Sequence, residues 1–208
     1  MHIRFLVFLF VLTLPFAAPH ADLPPKSEIV QALQGGGYTI YFRHAATDWS
    51  QSDNIVEHGD WQSCDGTRIR QLSDAGQETA KAVGRAIKTL AIPVGEVLSS
   101  EYCRAVQTAE LLNVGPVTTT LDIMNLRAAD YVGGRAAAVA KYRAIIARPP
   151  AAGTNRVIAA HGNLSKAATG AYPGEAGAVI IKADPDAEHG FRVVGQLDPA
   201  DWARLAER

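Results

Sequence analysis

Strand-like and helix-like patterns alternate along almost the whole chain, and this restricts the fold more than any other feature. Tyr38 to Arg43, Glu96 to Ser99, Val117 to Leu121 and Arg156 to Ala160 are short apolar or β-branched runs that read as strands. Helical patterns lie between them. Ser27 stands as N-cap of a short helix to Gln34, closed by Gly35-Gly36-Gly37. Ser73 caps a longer one to about Leu90, with Ala80, Val83, Ala86 and Ile87 on one stripe, and Pro93 and Gly95 break it. Tyr102 to Leu112 is helical, and Gly133-Gly134 opens an alanine-rich helix to Ala147 that Pro149-Pro150 ends. Asn163 to Ala168 is a shorter helix. Ala178 to Ala183 and Phe191 to Leu197 form a terminal hairpin, followed by a helix from Pro199. The order predicts an α/β protein, a three-layer fold with a mostly parallel central sheet flanked by helices.

One segment escapes the alternation. His44 to Leu72 has no sustained periodicity and is rich in Asp, Ser, Asn and Gly. Loops of this length inside a compact domain usually serve a function.

The N-terminus reads differently from the rest. Met1-His2-Ile3-Arg4 is positive, Phe5 to Phe16 is almost wholly apolar, and small residues follow at Ala17, Ala18 and Ala21. This is the pattern of a secretory signal peptide over residues 1–21, too short for a membrane span. The expected domain is therefore 22–208, with Asp22 to Lys26 as a linker. The expected location is the periplasm or the exterior, with no stable membrane insertion after cleavage. Export favours a disulfide between the two cysteines, Cys64 and Cys103. It would tie the long loop to the segment carrying Arg104. No histidine stands at ligand spacing from either cysteine, so no metal site is expected there.

Charge narrows the function. The formal net charge is −1, with 20% charged residues, which argues against a general nucleic-acid binder. Any anion affinity must come from a local site, and four residues suggest one. Arg43-His44 ends the first strand, Arg104 follows the second, and His161 follows the run Arg156 to Ala160. Open α/β sheets bind ligands at such strand ends. The guanidinium fork matches phosphate geometry. Neighbouring guanidinium charges should keep the His44 imidazole neutral and nucleophilic. His161, when protonated, would add positive charge at the phosphoryl group.

These residues sit in motifs that resemble the histidine phosphatase superfamily, which includes the cofactor-dependent phosphoglycerate mutases. Arg43-His44-Ala45-Ala46-Thr47-Asp48-Trp49 is similar to the family's Arg-His-Gly motif, with Ala45 in the glycine position. Leu72-Ser73-Asp74-Ala75-Gly76, Ser100-Glu101-Tyr102-Cys103-Arg104-Ala105-Val106-Gln107-Thr108-Ala109 and His161-Gly162 follow in family order. The resemblance implies a phosphoglycerate mutase-like fold and a phosphomonoesterase in which His44 becomes phosphohistidine. It further implies that Arg43, Arg104 and His161 hold the phosphoryl group, with Thr47 as an added contact. Trp49 reads as a packing residue. The family's glutamate acid is missing from Leu121 to Asp130; Asp130 is the first candidate, Asp122 the second and Glu175 the third.

No metal or other cofactor is required by that chemistry. The expected substrate is a small phosphorylated molecule, with an envelope glycan phosphate among the options for an exported member. A phosphohistidine-protein phosphatase is a further option, less compatible with export. Two other readings remain at this level: a weakly catalytic phosphoryl-binding module and a mutase-type phosphotransferase.

Overall fold

The computed structural model describes residues 23–207; segment 1–21, expected from the sequence to be a signal peptide, lies outside them. A six-stranded sheet forms the middle layer. In chain order its strands are β1 (Tyr38–Arg43), β2 (Val94–Ser100), β3 (Val117–Thr120), β4 (Asn155–Ala160), β5 (Ala178–Ala183) and β6 (Phe191–Leu197). The spatial order is β3-β2-β4-β1-β5-β6. β3, β2, β4 and β1 run parallel; β5 is antiparallel to both β1 and β6.

The helices are α1 (Lys26–Gln34), α2 (Asp74–Thr89), α3 (Cys103–Leu112), α4 (Arg135–Ile146), α5 (Gly162–Thr169) and α6 (Pro199–Ala206). The period-2 alternation of the strands divides them between two faces. Ile40, Phe42, Val157, Ala159 and Ile180 pack with Leu33, Val83, Ile87 and Trp202 from α1, α2 and α6. Tyr41, Ile158, Ala160, Val179 and Ile181 point the other way, against Tyr142, Ile145 and Ile146 of α4 and Leu164 of α5. The expected three-layer architecture is the one observed.

Boundaries differ in places. Pro25, not Ser27, is the N-cap of α1, and Ser27 lies inside the helix. A proline pre-set in extended backbone can end the linker without a side-chain cap. β3 stops at Thr120, whose hydroxyl accepts the amide of Asp122 at 3.1 Å and turns the chain into a 3-10 turn at Leu121–Ile123. A second 3-10 segment, Leu126–Val132, has no apolar period to reveal it in the sequence.

The long segment after β1 is pinned at its base by a bridge between Thr47 and Leu72 and by Asp48 N–H donating to the Gln71 carbonyl at 3.1 Å. It holds its own apolar cluster, Trp61 and Ile69 packing with Tyr102 and Met124. A disulfide joins Cys64 to Cys103 across a Cα–Cα distance of 5.4 Å. The loop is thereby fastened to the first turn of α3.

Candidate active site

The parallel order brings three neighbouring strand ends together. β1 delivers Arg43 and His44, β4 delivers His161 and β2 delivers Ser100. Outside them lies a cavity of about 150 Å³ lined by Arg43, His44, Trp49, Arg70, Asn125, Arg127, His161, Gly162, Asn163 and Tyr172. A larger groove of about 460 Å³ between α1 and the β5–β6 hairpin contains no histidine.

His44 is 3% exposed. Its Nδ1 lies 2.9 Å from the Ala45 carbonyl. A carbonyl only accepts, so Nδ1 carries the proton and the lone pair is on Nε2. Burial, the charge of Arg104 and then those of Arg43 and Arg70 hold the imidazole pKa well below its usual value of 6.5. The ring is thus neutral, in a fixed tautomer.

The motifs around His44 acquire physical reasons. Ala45 N–H donates to Thr108 Oγ1 at 3.0 Å, and that hydroxyl donates to the Arg104 carbonyl at 2.7 Å. Ser73 Oγ accepts the amide of Gly76 at 3.1 Å to cap α2, while Ser73 N–H donates to the Ala46 carbonyl at 3.0 Å. A Cβ at Gly76 would stand 2.0 Å from that same carbonyl oxygen. A Cβ at Gly162 would meet the Tyr172 ring at 2.9 Å and Arg43 Cδ at 3.1 Å. These glycines let α2 and α5 approach the loop and the arginine closely.

His161 is buried among the same charges. It is 1% exposed, and burial together with Arg104, His44, Arg43 and Arg70 depresses its pKa well below 6.5. Asn125 Oδ1 accepts from Arg127 N–H at 3.0 Å and from Asn163 Nδ2 at 2.7 Å. That orientation turns Asn125 Nδ2 toward His161 Nδ1 at 3.2 Å. His161 Nδ1 thus accepts, and Nε2–H donates to Ser100 Oγ at 2.8 Å. The ring is neutral in the free protein. Tyr41 fixes its backbone, donating to the His161 carbonyl at 2.8 Å and accepting its N–H at 3.0 Å.

Arg104 is near the histidines, but it does not line the cavity. Its fork is closed by Asp53, with Nη1 at 2.8 Å and Nη2 at 3.0 Å from the two carboxylate oxygens. Thr47 also stands outside the wall. Its hydroxyl donates to Glu175 at 3.5 Å rather than toward the cavity.

The acid candidates are reordered. Asp130 is exposed on the Leu126–Val132 segment and lines no part of the cavity, because that 3-10 turn buries Ala128 and Ala129 instead. Asp122 pairs with Lys141 at 3.4 Å on the surface. Glu175, ranked third from the sequence, accepts from Arg43 Nη2 at 3.2 Å.

Sequence reasoning passed over Arg70 and Asn125. Arg70 is one arginine among polar loop residues, and Asn125 has no motif around it. Trp49 is 67% exposed rather than packed in a core, with the Arg70 guanidinium 3.9 Å from its ring centroid. The pairing of Arg70 with Trp49 was legible only in space.

A family model for the histidine phosphatase superfamily (branch 1) matches residues 40–149. The chain belongs to that superfamily. Solved structures share its fold. The protein histidine phosphatase SixA complexed with tungstate is 15% identical, covering 78% of this chain and 97% of its own, with a TM-score of 0.53. A mycobacterial glucosyl-3-phosphoglycerate phosphatase is 17% identical, covering 76% and 96%, with a TM-score of 0.53. A phosphoserine phosphatase of Entamoeba histolytica, in complex with phosphoserine, is 14% identical, covering 78% and 97%, with a TM-score of 0.52. No curated protein matches at a significant level.

Proposed function

We propose that this chain is an exported phosphomonoesterase that works through a phosphohistidine on His44. The family supports a phosphatase. The observation that carries the reading is the His44 tautomer: with Nδ1 bonded to Ala45, the Nε2 lone pair is the free one on a ring that lines an arginine-rich cavity.

In the first half-reaction Nε2 attacks phosphorus and the bond to the leaving oxygen breaks. Guanidinium groups in the wall neutralise the equatorial oxygens. The N-terminus of α5 at Gly162 presents backbone amides to the same space. The departing alkoxide takes a proton from Glu175, the acid candidate in contact with a cavity-lining side chain, after the carboxylate has picked one up from solvent on release from Arg43. A phosphoryl group that takes Arg43 Nη2 also releases Glu175 from its ion pair. In the second half-reaction water attacks phosphorus, the P–N bond breaks and Glu175 recovers the proton.

Export is proposed from the N-terminal sequence pattern and the Cys64–Cys103 disulfide, which persists best in an oxidising compartment. The substrate is a small phosphomonoester. The small cavity and the exposed rim residues Trp49 and Tyr172 suit a phosphoryl group held inside with its leaving group at the mouth. The test is rapid acid quenching with labelled p-nitrophenyl phosphate. Acid-labile label is expected on the wild-type protein and none on His44→Ala.

A further inference from the structure

The cavity at the strand ends is too small for a whole phosphomonoester. Its volume is about 150 Å³, whereas sites that enclose an organic ligand run to roughly 300–1,000 Å³. The phosphoryl group fits inside, and the leaving group has to lie across whatever borders the mouth. Of the residues lining the cavity, Trp49 is the most exposed large apolar one, at 67%. A lone exposed aromatic on an open surface needs no explanation; one in the wall of a polar cavity does.

Trp49 is held from one side. The Arg70 Cζ lies 3.9 Å from its ring centroid, which occupies one face of the indole. Arg70 is itself buried, and Asp53 Oδ1 accepts its backbone N–H at 3.2 Å. The ring is therefore backed by an anchored group, which lowers the entropy cost of stacking a ligand on the other face. Trp49 also lines a second, open depression of about 580 Å³, together with Asp48, Gln51, Ser73 and Asp74. It is the residue common to the two spaces. A leaving group that passes out of the cavity over Trp49 reaches a depression lined by hydrogen-bonding side chains.

We propose that Trp49 is a specificity residue whose uncovered face is a platform for a ring in the leaving group, an aryl ring or the C–H face of a sugar. The polar part of that group continues into the depression beside Asp48 and Asp74. Both kinds of ring present a flat, partly apolar face to the indole, and an open-chain alkyl phosphate does not. The proposal rests on the phosphomonoesterase reading for its catalytic meaning, but binding over Trp49 is measurable without turnover. The competing account is that Trp49 serves Arg70 alone, as a cover for the guanidinium.

A pair of phosphonates separates the two, because both carry the same charged head and a phosphatase does not cleave their P–C bond. In calorimetric titration of the oxidised protein, phenylphosphonate should bind about tenfold tighter than methylphosphonate, the scale of one aromatic stack with the area it covers. Whatever Trp49→Ala does to Arg70 acts on both ligands and cancels in the ratio. Trp49→Ala should bring the ratio close to unity, and Trp49→Phe should keep most of it. A second pair reads a sugar: kcat/KM for a hexose esterified at its primary hydroxyl, divided by that for glycerol phosphate. A preference that depends on Trp49 in the first pair alone assigns an aryl leaving group; one that depends on it in the second pair assigns a sugar. Ratios equal in wild type and Trp49→Ala for both pairs overturn the proposal and leave Trp49 as a cover for Arg70. Thermal midpoints confirm that the variants compared are folded; if Trp49→Ala is not, Trp49→Leu, apolar but without a ring face, takes its place. Absence of a wild-type phosphoenzyme would defeat the phosphohistidine reading, while the phosphonate ratio would still judge Trp49.

Discussion

Thr108 holds the peptide that follows His44, the proposed nucleophile. Its Oγ1 accepts the Ala45 N–H at 3.0 Å and donates to the Arg104 carbonyl at 2.7 Å, one helical turn back in α3. The Ala45 carbonyl in turn sets the His44 tautomer. Thr108→Val keeps the shape and removes the acceptor, leaving a buried amide unpaired at a cost of about 1–3 kcal/mol. Urea unfolding should show that loss together with a lower kcat. Thr108→Ser should restore much of both. Unchanged stability and kcat in Thr108→Val would show that Ala45 is positioned by other contacts.

Stability should depend on pH through the buried histidines. His44 and His161 have pKa values well below the 6.5 expected in the unfolded chain. Below about pH 6.5 the unfolded chain binds protons that the folded chain refuses. Their contribution is therefore complete above that pH and is lost as pH falls, at about 1.4 kcal/mol per pH unit for each ring. Unfolding measured in phosphate-free buffer between roughly pH 5 and 7.5 should show this slope, and His161→Asn should flatten it. A flat wild-type profile would mean that both rings accept a proton in the fold.

The disulfide should support both fold and site. Cys64 and Cys103 are 39 residues apart in sequence, and closing such a loop is worth about 4 kcal/mol in the chain-entropy model. The Cys64→Ser, Cys103→Ser double variant should lose stability on that scale. It should also bind phosphate more weakly, because Asp53 and Arg70 lie in the strap that the bond fastens. Equal stability with and without reductant would contradict the stabilising role.

Glu175→Gln should slow alkyl phosphates, which have poor leaving groups, far more than p-nitrophenyl phosphate. A loss of about 10²–10⁴-fold is typical when general acid catalysis is removed. Asp130→Asn should leave both rates near wild type, since Asp130 lies outside the cavity. An equal effect of Glu175→Gln on both substrates would make it a structural partner of Arg43 only.

The fold was largely written in periodicity. β1, α2 and the β5–β6 hairpin follow from a β-branched and aromatic run, a serine cap and turn residues, all of which act locally. The Arg-His pair and His161 could be found because strand ends carry chemistry in open α/β sheets. The rest depends on side chains distant in sequence. Arg104 closes its fork on Asp53, 51 residues away. Glu175 joins Arg43 across 132 residues. The neutrality of His161 depends on burial and on an Asn125 amide whose orientation Asn163 helps to fix. No local pattern encodes such contacts.

The most direct measurement is the mass or label of the acid-quenched enzyme during turnover of p-nitrophenyl phosphate. The account predicts one phosphoryl group on the wild-type chain, mapped to His44, lost in mild acid and absent from His44→Ala. Label retained by His44→Ala, or turnover of that variant at the wild-type rate, would contradict a phosphohistidine mechanism at this site.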